Sequence, residues 1–390
     1  MKITEKKYLT PFMLITLLFF LWGFARAILD VLNKHFQDNL HITISQSAWV
    51  QVTMFLGYFL MALPAGVFIR RYGYRQGVVF GLVLFGIGSL CFIPSSTFLG
   101  FLLCLFVIGC GLTFLETSAN PYVTELGAPE TSSSRLNLAQ TFNGMGCFMA
   151  TLIVGQFLYR DGADIGDVSV PYTIMGVFVL LIAFVFSRVQ LPELSEDTPS
   201  NVPDTIGGVL RNKMFVFGLL ALLAYEVAEI SINSYFVTFV TEVGWMNKMT
   251  ASRIVSLALV IFMISRFIGS WMMRYMKAEL LLLIYAVGTV ASMLLTLLDF
   301  GMLSLISLVS TYFFEAIMFP TIFSLAVSGL GANKKSASSL LMMTPIGGCG
   351  FLLMGWIADQ GNLFVPFIIP LFAFCVVAAY AMIKVRNASH

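Results

Sequence analysis

Apolar residues run along this chain in long unbroken blocks, and the polar and charged positions collect in the short gaps between them. The blocks neither alternate like strands nor keep one polar stripe like surface helices. A helix that crosses a bilayer needs about 20 consecutive apolar residues. On that measure the pattern predicts twelve spans, over 8–36, 44–69, 76–93, 98–126, 134–159, 171–190, 213–241, 250–273, 279–298, 302–329, 335–358 and 363–385. Gln76 to Leu115 carries no formal charge, but Pro94-Ser95-Ser96 interrupts it and divides it into two helices. The first block follows Lys2, Lys6 and Lys7, is too long for a cleavable signal, and contains Arg26 and Asp30, so it is expected to be retained as span 1.

Composition excludes the alternatives. The AVILMFWYC set makes up 58% of the 390 residues, charged residues 11%, and mean hydropathy is +0.90. A soluble domain carries about 25% charge, so a soluble enzyme, a nucleic-acid binder and a disordered scaffold are ruled out. The net charge of +2 points to no acidic partner. None of the three histidines (His35, His41, His390) is read as lying inside a long apolar run, which argues against haem ligation, histidine metal sites and histidine proton relays, and the six cysteines sit in apolar runs without a C-x-x-C, as small buried hydrophobes do. No P-loop, dinucleotide fingerprint, G-x-S-x-G or H-E-x-x-H occurs, so neither ATP-driven pumping by this chain nor intramembrane catalysis is expected, and no cofactor or metal is implied.

Charge placement sets the orientation. Of 22 Lys and Arg, 16 fall on the side of the two termini and 4 on the other (Lys34, Arg160, Lys248, Arg253), with Arg26 and Arg266 inside spans. The positive-inside rule then puts both termini in the cytoplasm. A polar segment, 191–212, with four acidic residues and three prolines, reads as a cytoplasmic linker between six-span halves, 1–190 and 213–390. A weak repeat supports the division. Phe114-Leu115-Glu116 with Pro121 recurs as Phe313-Phe314-Glu315 with Pro320, an offset of 199, and Gly66 before Arg70-Arg71 recurs as Gly269 before Arg274, an offset of 203. Parallel six-helix repeats of this kind resemble the plan of the major facilitator superfamily, an all-α membrane fold of twelve helices in two pseudo-symmetric halves.

Ionisable residues within a bilayer are costly and usually face a cavity. Seven occur here: Arg26, Asp30, Glu116, Glu226, Glu229, Arg266 and Glu315. On span 1, Trp22, Arg26, Asp30 and Asn33 share a face. A tryptophan beside amides and charges suits a sugar, whose C–H face stacks on the ring while its hydroxyls take hydrogen bonds. The plainer reading is that Arg26 and Asp30 neutralise each other as an i, i+4 pair. On span 4, Glu116 precedes Asn120 and Pro121, and a carboxyl withdrawn from water there is suited to load and release a proton near neutrality. Span 5 carries Asn137, Gln140, Thr141 and Asn143, a strip richer than interhelical glue requires. On span 7, Glu226, Glu229 and Asn233 share a face. Glu315 reads equally as a pocket residue or as a partner of Arg266. Arg70 and Arg71 read as a positive anchor and a latch between halves.

These residues carry a resemblance that runs collinearly over nearly the whole chain. F-F-L-W-G-F-A-R-A-I-L-D (Phe19 to Asp30), L-E-T-S-A-N-P-Y-V-T (Leu115 to Thr124), R-L-N-L-A-Q-T-F-N (Arg135 to Asn143) and A-E-I-S-I-N-S-Y (Ala228 to Tyr235) resemble the fucose:proton symporter family of the major facilitator superfamily. The resemblance implies proton-driven uptake of a monosaccharide by a monomer in a bacterial inner membrane. It implies Asp30 and Glu116 as the coupling carboxylates, and Gln140 and Asn143 as sugar contacts. Two departures matter. The family's L-fucose carriers have asparagines where this chain has Arg26 and Leu29, and the sugar varies between members. An arginine one turn from Asp30 favours its ionised form, which would leave the proton to Glu116 or Glu229. Arg26 facing the cavity would alternatively act as an anion clamp for an acidic sugar. A transport-dead nutrient sensor is the remaining alternative, and sodium in place of the proton stays open.

Overall fold

The structure, a computed structural model, describes residues 8–126, 132–189, 206–273, 275–328, 330 and 334–388, the side chains at 70, 121, 124, 125, 132–135, 137, 206, 334–336 and 388 excepted. Among the described residues twelve helices have the length and apolarity to cross a membrane. Spans 1 to 6 are Leu9–Leu40, Ile44–Ile69, Arg71–Leu90, Phe98–Asn120, Leu138–Leu158 and Ile165–Arg188. Spans 7 to 12 are Lys213–Glu242, Lys248–Met272, Ala278–Leu297, Met302–Val327, Ala337–Ala358 and Val365–Asn387. Most of the expected linker lies outside the described residues, and its end, Ile206–Leu210, is a short helix leading into span 7.

Local chemistry explains where the spans start. Thr97 accepts from Gly100 N before span 4, Asn212 from Met214 N and Phe215 N before span 7, and Asn247 from Thr250 N before span 8, each satisfying donors that a helix start leaves free. Span 6 begins six residues earlier than expected because Asp164 and Asp167 form a reciprocal capping box over Ile165–Val168. Just inside the start of span 3 the helix that runs on from span 2 is kinked at Gly73, whose φ of 84° lies in the left-handed region that favours glycine.

Two spans expected to be continuous are broken. Span 10 consists of Met302–Glu315 and Met318–Val327. Pro320 has no N–H to offer the carbonyl four residues back, Ala316, and that carbonyl accepts from Arg266 Nε at 2.9 Å instead. Span 11 tightens into a 3-10 turn over Thr344–Cys349, where T-P-I-G-G-C-G weakens the α-helix. Gly347 there lies against span 7, where an added Cβ would stand 2.8 Å from Val227 N.

The outer surface is apolar as lipid requires: Phe267, Phe372 and Ile174 are 74%, 71% and 67% exposed. Small residues let helices approach, as is usual where lipid supplies no hydrophobic contrast. Gly23 of span 1 and Gly146 of span 5 each lie against the other span's backbone, leaving no room for a Cβ.

Candidate functional site

A cavity of about 80 Å³ lies between spans 1, 4, 5, 7, 8 and 10. A single water needs about 10–15 Å³ on this measure, so the space has room for several. Span 1 lines it with Trp22, Arg26, Ala27 and Asp30, span 4 with Glu116, and span 5 with Gln140, Asn143, Gly144 and Cys147. Span 7 contributes Tyr225, Glu226, Glu229 and Asn233. Span 8 adds Val255, Leu259, Phe262 and Arg266, and span 10 adds Phe319. Spans 1, 4, 5 and 7 thus supply the carboxylates and amides, and spans 8 and 10 supply apolar side chains together with Arg266.

Arg26 does not pair with Asp30. Its Nη2 reaches across to span 7, 2.7 Å from Glu226 Oε2 and 3.2 Å from Glu229 Oε2, and its guanidinium lies 5.5 Å from the centre of the Phe55 ring. Asp30 Oδ1 accepts from Ser234 Oγ at 2.7 Å and from Gln51 Nε2 at 3.5 Å, and the same Gln51 nitrogen donates to Ser234 Oγ at 2.9 Å. Glu116 Oε1 accepts from Tyr58 OH at 2.9 Å. The first two arrangements join the first six spans to the last six.

Other expected residues take different places. Asn143 Nδ2 donates to Phe19 O at 3.2 Å, which ties span 5 to span 1, and Gln140 meets the cavity while its carbonyl accepts from Arg266 Nη1 at 3.4 Å. Asn233 Oδ1 is buried at the cavity with no hydrogen-bond partner among the described residues. Trp22 lines the cavity but is 3% exposed, packed on Phe19 with ring centres 4.0 Å apart. Asn33 is buried away from the cavity, its amide unpartnered among the described residues, because the shared face of span 1 turns past the cavity within one further turn. Asn120 also lies off the cavity, its Nδ2 3.8 Å from Met342 Sδ. Glu315 is neither a lining residue nor an ion-pair partner of Arg266: it is fully buried, both oxygens unpartnered among the described residues, while Arg266 bonds two backbone carbonyls. Arg71 is exposed and lies over the Tyr72 ring, and among the described residues it makes no ion pair of its own. The side chains of Arg70 and Asn137 lie outside the described set.

Sequence reading missed Tyr58, Gln51 and Ser234, which hold the carboxylates. Their signal was present: Gln51 and Tyr58 are polar positions seven residues apart within apolar span 2, hence on one face. Also missed was a charge network at the face poor in Lys and Arg. Lys34 is 2.6 Å from Glu242 and 3.3 Å from Asp38, and Asp38 is 2.9 Å from Lys248. Beside it Asp359, at the end of span 11, accepts from Ile44 N and Ser45 N at the start of span 2. Both contacts tie the halves together, so this face is shut. Lys34→Met removes two of the network's pairs. A shift of about 1–2 kcal/mol is roughly 5- to 30-fold in population. Labelling of cavity-lining Cys147 by an impermeant thiol reagent, applied at this face, is expected to accelerate on that scale, read by mass spectrometry. An unchanged rate means the network does not hold the face shut.

The family model of the Major Facilitator Superfamily matches residues 15–344. The chain is 32% identical over 397 residues to a glucose/galactose transporter of Brucella abortus, covering 98% of this chain and 96% of that protein. It is 32% identical over 420 residues to the L-fucose-proton symporter of Escherichia coli, covering 99% and 95%. A crystal structure of the E. coli fucose:proton symporter superposes on it with a TM-score of 0.77 at 31% identity, covering 97% of this chain and 99% of that one.

Proposed function

The chain belongs to the major facilitator superfamily, in the group of the L-fucose-proton symporters and glucose/galactose transporters, and on that premise we propose that it takes up a neutral monosaccharide, L-fucose or a related hexose, together with protons by alternating access. The observation that carries the neutral cargo is the state of Arg26. Two carboxylates of span 7 already compensate its charge, so it is not a free clamp for an acidic sugar. A uronate would also meet Asp30, Glu116, Glu226 and Glu229 around the same small space, and like charges in low dielectric repel strongly.

In this reading the sugar hydroxyls bind Gln140, Asn143, Asn137 and the unpartnered Asn233 oxygen, while the apolar face of the ring packs on Trp22 and Phe262. Glu116 is the proton carrier and Asp30 its partner in coupling. A carboxylate crosses a hydrocarbon barrier more easily once neutralised, so proton binding at Glu116 lowers the cost of reorientation, and Tyr58 holds the ionised form between cycles. The Ser234 and Gln51 donors on Asp30 make its charge sensitive to the approach of the two halves. Both termini are cytoplasmic in this scheme, and the shut face is the external one.

Counterflow in proteoliposomes tests the cargo, because exchange needs no gradient. Labelled fucose, galactose or glucose is expected to exchange, with excess unlabelled neutral hexose abolishing the signal and excess uronate leaving it intact. Exchange of a uronate but of no neutral sugar reverses the assignment. Exchange of no sugar at all removes the transport reading and favours a sensor.

A further inference from the structure

We propose that Glu315, at the break in span 10, is a second proton-binding site, held by the last six spans as Glu116 is held by the first. Three independent features meet there. The helix is interrupted immediately after Glu315, near the middle of the span, and discontinuous helices at that depth are where transporters build ion sites. The carboxyl is fully buried, and neither oxygen has a hydrogen-bond partner among the described residues. The motif around it repeats that of Glu116, phenylalanine two residues before and proline five after.

The surroundings select the proton as ligand. From span 8, Arg266 is within electrostatic reach but donates to the carbonyls of Ala316 and Gln140. From span 7, Glu229 and Tyr225 face the same region, and on span 10 itself Tyr312, one turn before, has a hydroxyl with no partner among the described residues. From span 9, the Tyr285 hydroxyl accepts from Ser265. An ionised carboxylate with no donor in such a place is strongly disfavoured, so Glu315 holds a proton in the closed state. A metal cation has neither the ligands nor the field: Arg266 stands beside the site, and no group of three candidate metal ligands occurs among the described residues.

Release follows from the same geometry. The bond from Arg266 Nη1 to Gln140 O, at 3.4 Å, is the longer of its two and runs from span 8 to span 5, between the halves. Rocking the halves breaks it and frees the guanidinium for Glu315. The carboxyl O–H bond then breaks, the proton passes to water in the opened cavity, and the carboxylate remains paired with Arg266. On closing, water returns a proton and Arg266 returns to the carbonyl.

The part this proton plays in transport rests on the symport reading above, whereas its presence on Glu315 does not. Infrared difference spectra of the full-length protein in lipid test presence directly. The C=O stretch of a protonated carboxyl is expected in the wild type at neutral pH, lost in Glu315→Gln and shifted in Glu315→Asp, which preserves the acid should the Gln variant fail to fold. A band identical in wild type and both variants overturns the site. In proteoliposomes the ratio of protons to sugar is expected to fall by one in Glu315→Gln, and an unchanged ratio overturns the transported role. If the wild type exchanges no sugar, the symport reading and that role fail together, while the infrared band still decides the site.

Discussion

Glu116→Gln uncouples sugar movement from one proton: accumulation against a gradient falls steeply while counterflow exchange persists. Gln keeps the shape of the side chain and still offers an oxygen to Tyr58 OH, which lies 2.9 Å from Glu116 Oε1 in the wild type. It is uncharged throughout the cycle, so the half of the chain that carries it reorients without loading a proton. One elementary charge moved through 100 mV is worth about 2.3 kcal/mol, and about 1.4 kcal/mol is tenfold in an equilibrium. At that potential the expected loss is therefore roughly fifty-fold in the steady-state ratio of sugar inside to sugar outside. The measurement is uptake of labelled sugar under an imposed proton gradient, beside counterflow in the same vesicles. Loss of both activities together places Glu116 in folding or sugar binding, and retention of both removes it from coupling.

Arg26→Gln is expected to destabilise the protein by about 3 kcal/mol. Removing one partner of a buried ion pair costs about 3–5 kcal/mol, because the other charge stays behind uncompensated. Here two carboxylates stay behind, one of them 1% exposed and the other 18%. The arginine is itself 25% exposed, which places the cost at the low end. Thermal unfolding in detergent reads the effect as a fall of several degrees. The triple variant, with Glu226→Gln and Glu229→Gln added, is expected to recover most of the loss, since it removes the stranded charges as well. Equal stability of the single variant and wild type, or a triple variant weaker than the single, contradicts the bridge as a closing contact between the halves.

Much of the fold was legible along the chain. The span count follows from block length, because no water is present in the bilayer to satisfy an open backbone and only helices of about 20 residues cross it. The turn at Pro94 was legible too, as were the residues worth suspecting: Arg26, Asp30, Glu116, Gln140, Asn143, Glu226, Glu229, Asn233 and Arg266 all line one cavity. An intramembrane charge is expensive wherever it lies, so composition alone marks it.

What the sequence determined by itself was therefore the number of helices, their approximate ends and the set of buried polar side chains, all consequences of transfer between water and hydrocarbon. The partners were decided only by tertiary structure. Helical spacing offered Asp30 to Arg26 four residues away, yet Arg26 pairs 200 and 203 residues along the chain. Asn33 shares a face with Asp30 but not its cavity, and Pro320 breaks span 10 while the helix of span 4 runs on unbroken past Pro121, its counterpart, to Glu125. For Arg26 and for the carbonyl freed by Pro320 the partner belongs to another helix, Glu226 in the first case and Arg266 in the second. Periodicity places a side chain on a face of its own helix, and only the packing of the others fixes what that face meets.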